Sequence, residues 1–251
     1  MWDEISRHIR KVTGVDFHAQ EAQPIAGGCI NDAVCLSDKS QRYFVKTNRA
    51  DAFQMFEAEW EGLVEIQRTS TVKVPSPLCV GQCKEYAYLV LEYIPMTGKK
   101  NDFLLGEQIA RMHQTGSSAY GWHRNNTIGE TPQINDWDPD WVHFYQTHRL
   151  EYQFRLAKQK GVDFKNQTAL LAKIPDFFKN YTPRASLLHG DLWGGNASFD
   201  EDAHPVIYDP AIYYGDREAD IAFTEIFGGF SRKFYEGYES IWPLDPGYAQ
   251  R

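Results

Sequence analysis

The run His189-Gly190-Asp191-Leu192-Trp193-Gly194-Gly195-Asn196, followed by Tyr208-Asp209-Pro210, constrains this chain more than any other stretch. Asn196 stands five residues after Asp191, and Asp209 follows behind the short apolar run Pro205-Val206-Ile207-Tyr208. A glycine-rich turn presents the first two side chains, and the apolar run reads as a strand that delivers the third. Carboxylate and amide oxygens are hard donors, which suit a magnesium ion whose shell is completed by phosphates and water. An Asp-Gly turn with an Asn cap would use the same letters, so the upstream sequence has to decide.

Upstream, Gly27-Gly28-Cys29-Ile30-Asn31 precedes a strand, as a loop must if its backbone is to approach phosphates closely. The runs Ala33–Ser37 and Tyr43–Lys46 read as strands around the polar turn Asp38-Lys39-Ser40-Gln41. Lys46 ends the second of them. Asp51 is then expected to cap a helix over Ala52–Gln67, with Phe56, Trp60, Leu63 and Ile66 at helical spacing. At ~100° per residue the apolar arc centres on Leu63 and Phe56. Glu59 falls inside that arc, Glu57 lies at its margin, and Glu61 and Glu65 point away. A carboxylate on a buried face is costly unless paired, so Glu59 is the expected partner of Lys46, with Glu57 as the fallback. Glu85–Tyr93 reads as a strongly apolar strand leading into Glu92-Tyr93-Ile94, whose backbone would face adenine at a hinge. An ordinary core strand would look the same.

Glycine loop, Lys, helix Glu, hinge strand, Asp-x4-Asn and Asp is the order of the protein-kinase architecture. There the first Asp accepts the hydroxyl proton, and the Asn and second Asp hold magnesium. The sequence therefore predicts an α+β, two-lobed, protein-kinase-like fold. A β-rich nucleotide-binding lobe would span 1–94, and a helical catalytic and substrate lobe 95–251. In the second lobe, Leu105, Ile109 and Met112 mark a helix ending before Gly116, and another helical segment runs from about Asp140 to Lys160. Two departures matter. Gly190 stands where protein kinases carry an Arg that pairs with a phosphorylated activation loop, and Asp209-Pro210-Ala211 replaces Asp-Phe-Gly. Loop phosphorylation is not expected to control this chain, which fits a small-molecule kinase.

Composition excludes other classes. With 26 Lys and Arg against 34 Asp and Glu, the net charge of −8 is the wrong sign for holding nucleic acid. No apolar run approaches the ~20 residues of a membrane helix. Acids rather than bases follow Met1, so a cytoplasmic location is expected. Cys29, Cys35, Cys79 and Cys83 are too few for a disulfide scaffold and lack zinc-site spacing, so reduced thiols are expected.

Pro24–Asn31, Met55-Phe56-Glu57-Ala58-Glu59, His189–Asn196 and Tyr208–Asp220 together resemble the fructosamine kinase (ketosamine-3-kinase) family. So does Ile128-Gly129-Glu130-Thr131-Pro132-Gln133-Ile134-Asn135-Asp136-Trp137, a stretch that generic aminoglycoside and choline kinases do not share. The resemblance implies ATP- and Mg2+-dependent phosphorylation of the sugar 3-hydroxyl of ketosamines, small or protein-bound, as a protein-repair step of deglycation. It makes Asp191 the base, Asn196 and Asp209 the metal ligands, and Lys46 with Glu59 the phosphate clamp. Gly27, Gly28, Cys29, Asn31, Glu92, Tyr93 and Ile94 would complete the ATP site. Trp193 is expected to stack on the substrate, with core packing as the alternative, and Asp216 is a second substrate contact. Asp220 is expected to cap the helix that follows it and to hold the catalytic-loop backbone.

Cys29, beside loop amides and Lys46, would be an acidified thiol, with a small, unreactive packing residue in a tight turn as the alternative. The resemblance points the same way, to a redox-dependent homodimer. Family members continue for several helical turns beyond the segment matching Asp245-Pro246-Gly247-Tyr248, so a C-terminal helix is expected to be absent from this chain. A kinase of aminoglycoside or choline type and a non-catalytic nucleotide-binding protein are the competing readings. The complete set Lys46, Asp191, Asn196 and Asp209 speaks against the second.

Overall fold

Antiparallel pairing organises the first hundred residues of the computed structural model, which describes residues 1–25, 30–83, 85–96 and 99–251. Two elements precede those expected from the sequence: helix α1 (Trp2–Thr13) and strand β1 (Glu21–Pro24). The apolar signal in α1 is little more than Ile5 and Ile9, yet both are fully buried against Phe17, Leu36, Val45 and Val90. β2 (Asp32–Ser37) and β3 (Arg42–Arg49) pair with Val34 opposite Val45. The Asp38 carboxylate closes their turn by accepting the Ser40 and Gln41 amides at 2.7 and 2.8 Å. β3 runs beyond the expected strand, so Lys46 lies within it rather than at its end.

A short 3-10 turn, Ala50–Ala52, leads into α2 (Phe53–Thr69). That turn displaces Asp51 from the expected capping position. Ala52 stands there without a side-chain cap, and Asp51 instead pairs with Arg49 at the surface. β4 (Pro77–Gln82) and β5 (Tyr86–Glu92) complete a five-stranded sheet of order β1-β2-β3-β5-β4. Cys35, Cys79 and Cys83 are free thiols.

The next elements are α3 (Asp102–His113) and the hairpin β6 (Asn126–Ile128) and β7 (Thr131–Gln133). α4 (Trp141–Phe144) starts at Asp140, whose carboxylate accepts the His143 amide at 2.7 Å. The chain continues through a π-helical segment, Tyr145–Glu151, into α5 (Tyr152–Gln159). The expected helix from 140 to 160 is thus helical throughout but locally unwound. α6 (Gln167–Phe177) and β8 (Ala185–Leu188) follow, then β9 (Ala197–Phe199), β10 (Pro205–Ile207) and β11 (Tyr213–Asp216). α7 (Arg217–Thr224) and α8 (Arg232–Ile241) end the regular structure, with α8 packed on α3.

By packing, the chain divides into one unit of residues 1–101 with 196–210 and another of 102–195 with 211–251. The β9–β10 ribbon belongs to the first unit although chain order puts it among the later residues. Ile207 donates its amide to Lys73 O at 3.0 Å, and Lys73 Nζ meets Asp200 at 2.9 Å. In the second unit β8 pairs with β11, and Leu105, Ile109, Met112, Leu187, Ile221 and Phe234 form the buried core. Among the described residues no helix is long and apolar enough to cross a membrane.

Candidate active site

Lys46 sits between two paired strands, opposite Ala33 on β2 and Leu89 on β5, and is 5% exposed. A buried ammonium needs counter-charge. Glu59 on α2 supplies it at 2.6 Å and Asp209 at 2.5 Å. Glu59, not Glu57, is therefore the partner. Burial alone would lower the Lys46 pKa, but the two carboxylates reverse this and hold it above the ordinary range. Burial pushes Glu59 up, with Lys46 pulling the other way.

Asp209 has φ of +58°, a left-handed conformation that Asp tolerates better than most residues. The ion pair to Lys46 offsets the cost. Asn196 O accepts the Tyr208 amide at 3.1 Å, which sets Asn196 opposite the residue before Asp209 at the end of the β9–β10 ribbon. Lys46 takes Asp209 Oδ1, while the Asp209 side chain stays 44% exposed. A partly exposed carboxylate next to an amide residue on the facing strand is a donor set that fits magnesium.

The rest of the expected nucleotide site is on the same unit. Asn48 Nδ2 donates to Asn31 Oδ1 at 2.7 Å and to Ile30 O at 3.2 Å, tying those two residues to β3. Gly27, Gly28 and Cys29 lie outside the described residues. Glu92 donates its amide to Ser76 O at 2.9 Å, and its carboxylate accepts the Ser76 amide at 3.2 Å. Arg42 stacks on the Tyr93 ring at 4.6 Å, and Ile94 is buried.

In the second unit β8 delivers His189, Gly190 and Asp191. Asp220, 2% exposed, accepts the His189 amide at 2.6 Å and the Gly190 amide at 2.9 Å. It thus holds the loop backbone, but it lies inside α7 and does not cap it. Asp216 is the cap: it is 3% exposed and accepts the Glu218 amide at 3.0 Å and the Tyr181 hydroxyl at 2.9 Å. A buried capping carboxylate stands where a substrate contact was expected. His113, unmarked by the sequence reading, touches Asp220 at 3.2 Å through Nε2 and the Tyr238 hydroxyl at 2.8 Å through Nδ1.

The Asp191 amide donates to His189 Nδ1 at 3.3 Å. Gly190 has φ of +80°, and a Cβ there would stand 2.0 Å from Ala211 O. No Arg fits at this position.

Trp193 is 36% exposed rather than packed in the core. Its ring lies against Gly195, where a Cβ would come within 2.3 Å of it. Its other neighbour is Phe227, edge-to-face at 5.7 Å and itself 76% exposed. Phe227 escaped the sequence reading because nothing in its local pattern separates it from an ordinary helix-end aromatic.

A sequence profile described as "Fructosamine kinase" matches residues 1–251. A Synechocystis protein, "Probable ketoamine kinase", is 44% identical over all of this chain and 86% of its own length. An Arabidopsis thaliana protein, "Protein-ribulosamine 3-kinase, chloroplastic", is 39% identical over 90% of this chain and 72% of its own. A crystal structure of a Haemophilus somnus protein with a fructosamine-3-kinase designation superposes with a TM-score of 0.94 at 31% identity, covering 100% of this chain and 86% of that one. A spectinomycin phosphotransferase, at TM-score 0.53 and 18% identity over 94% of this chain and 78% of its own, shares the fold alone. The α+β, protein-kinase-like architecture expected from the motif order is the one found. With the profile spanning every residue and full-length relatives at this identity, the chain belongs to the fructosamine kinase family.

Proposed function

We propose that this protein is an ATP-dependent ketosamine 3-kinase, which phosphorylates the sugar 3-hydroxyl of fructosamine or ribulosamine adducts on amines, small or protein-bound. The observation that carries the reading is the ammonium of Lys46, shared by Glu59 and Asp209 within a chain of this family.

Magnesium-bound ATP supplies the phosphoryl group. Asp191 accepts the proton of the attacking hydroxyl, which needs a positioned carboxylate at the sugar. Asn196 and Asp209 hold the metal. Lys46, kept charged by its neighbours, pairs with phosphate oxygens, and Glu59 fixes its direction. The backbone of Glu92–Ile94 takes the adenine, and Asn31 with the glycine loop covers the phosphates. The ring of Trp193 seats the sugar or its amine substituent. Residues 1–101 with the ribbon 196–210 act as the nucleotide-binding unit, and 102–195 with 211–251 carry the catalytic loop and the substrate contacts, so the expected division at 94/95 shifts and the ribbon changes sides. A reducing, cytosolic setting fits the free thiols.

Oxidative pairing of two copies through Cys29 belongs to the same reading. Burial pushes Cys79 up to about 12 and raises Cys35, so neither is a ready nucleophile. An oxidised dimer lost in Cys29→Ala is the expected result; one lost only in Cys83→Ala reassigns the switch.

The direct test is ATP consumption with fructosyl-lysine, ribulosyl-lysine, kanamycin and choline. Turnover confined to the ketosamines supports the reading. Turnover confined to kanamycin or choline replaces it with another small-molecule kinase, and nucleotide binding without turnover on any of the four makes the chain a non-catalytic binder.

A further inference from the structure

The residues just beyond Asp209 are held by a set of buried amides that phosphoryl-transfer chemistry does not by itself require. Ala211 donates its amide to His189 O at 2.9 Å, and its carbonyl accepts Gln133 Nε2 at 2.9 Å. The Ile212 carbonyl accepts Asn126 Nδ2 at 2.8 Å. Tyr214 exchanges both backbone hydrogen bonds with Gly121, at 2.8 and 2.9 Å. Gln133 and Asn126 come from the β6–β7 hairpin, and Gln133 lies within the Ile128–Trp137 stretch that sets this family apart by sequence.

The direction of the amide chain is determined from both ends. Arg149 can only donate, and its NH2 group gives a hydrogen bond to Asn135 Oδ1 at 2.8 Å. Asn135 Nδ2 then donates to Asn126 Oδ1 at 2.9 Å, which leaves Asn126 Nδ2 for Ile212 O. Gln133 Nε2 donates to the same Asn126 oxygen at 2.8 Å as well as to Ala211 O. A donor-only guanidinium at one end and acceptor-only carbonyls at the other admit one orientation of every amide. Gln133, Asn126 and Asn135 are 6%, 8% and 0% exposed, so a lost bond leaves a polar group without water to replace it.

Ala211 is the point where this chain meets the chemistry. It lies two residues after Asp209 in sequence. Its carbonyl fills the space that a side chain on Gly190, the residue before Asp191, would occupy. Protein kinases fix the corresponding stretch with a phosphorylated loop and an Arg, and the clash at Gly190 removes that device here.

We propose that Gln133 is a positioning residue for phosphoryl transfer, holding the Ala211 carbonyl so that the chain is set both before Asp191 and after Asp209 without any modification. The proposal rests on the roles given above to Asp191 and Asp209. Gln133→Met keeps the length and packing of the side chain and removes its donors. Tyr120→Phe is the control: it removes a buried hydrogen bond from the same unit, Tyr120 hydroxyl to Pro183 O at 2.6 Å, and leaves every bond of the amide chain in place.

The variants are compared below their melting points by steady-state kinetics with fructosyl-lysine and by calorimetric titration of Mg2+ into the ADP-bound protein. Gln133→Met is expected to lower kcat ~10-fold or more, as misplacement of reacting groups does. It should also weaken Mg2+ binding several-fold while leaving the ketosamine KM nearly unchanged. Tyr120→Phe should change neither kcat nor Mg2+ affinity. Equal effects of the two variants, or unaltered Mg2+ affinity in Gln133→Met, overturn the proposal. Should Gln133→Met fail to fold, amide exchange in the unaltered protein decides. The Ala211 amide is expected to exchange as slowly as those of β8, and exchange as fast as at the exposed Gly161 turn overturns the proposal. If the unaltered protein leaves fructosyl-lysine untouched, the functional reading fails, while the Mg2+ titration and Ala211 exchange still judge Gln133.

Discussion

Around Lys46 three side chains hold one another by charge, whereas around Gly190 and Ala211 the backbone is held by neutral amides and one buried carboxylate, Asp220. The two regions use different physics for different tasks. An ion pair can trade one partner for another of the same sign, so Lys46 can exchange a carboxylate for a phosphate oxygen at modest cost. A buried neutral hydrogen bond has no such substitute, because breaking it strands a desolvated donor or acceptor. The first region is suited to rearrange when nucleotide arrives, the second to stay as it is while that happens.

The largest loss of activity is expected at the loop that the second region holds. Asp191→Asn is expected to cost ~10²–10⁴-fold in kcat, the typical loss on removing a general base, with ATP affinity nearly unchanged in a fluorescence titration. Near-normal turnover removes Asp191 from its role.

Lys46→Met probes the charged region. It leaves Glu59 buried without its cation, a change that costs about 3–5 kcal/mol when a buried pair is broken, and it should abolish tight ATP binding. The double variant Lys46→Met with Glu59→Leu should recover most of the stability in denaturant unfolding but none of the ATP affinity. Recovery of both would mean that Lys46 only balances charge.

Asp220→Asn probes the neutral side. It keeps the shape but turns one of two accepting oxygens into a donor facing a backbone N–H, at about 1–3 kcal/mol for the stranded group. Melting temperature and kcat should fall together, with little change in the ATP KM.

The smallest effect is expected at Asp216. Burial raises its pKa to about 6, above the ordinary ~4 of a carboxylate, so the fold favours the protonated form. Its contribution to stability is complete below the ordinary value and is lost as pH rises through 6. Asn caps a helix as well as Asp, so Asp216→Asn should gain in melting temperature relative to the unaltered protein between pH 4.5 and 6.5. A difference constant across that range would show that burial does not tune this carboxylate.

The charged region was legible in the sequence and much of the neutral one was not. Helical spacing singled out Glu59, because a carboxylate inside an apolar arc announces a buried partner. The Asp-x4-Asn spacing and the following Asp carried the loop and ribbon. Asp220 was legible as a holder of the loop backbone, but its place within α7 was not, since Asp216 four residues earlier had already taken the cap. Gln133, Asn126 and His113 left no such mark. Their partners lie 78, 86 and 107 residues away, and neutral amides follow no hydrophobic period. Asp51 misled because a 3-10 turn before α2 cannot be told from a capped helix start by composition.

On this reading the protein transfers the terminal phosphate of ATP to the 3-hydroxyl of a ketosamine. Phosphorus and proton NMR of fructosyl-lysine incubated with the protein, ATP and Mg2+ tests it most directly. A new phosphate ester coupled to the proton on sugar carbon 3 is expected, followed by release of lysine, with neither seen in Asp191→Asn. An ester on another hydroxyl, or ATP hydrolysis with the sugar unmodified, would contradict it.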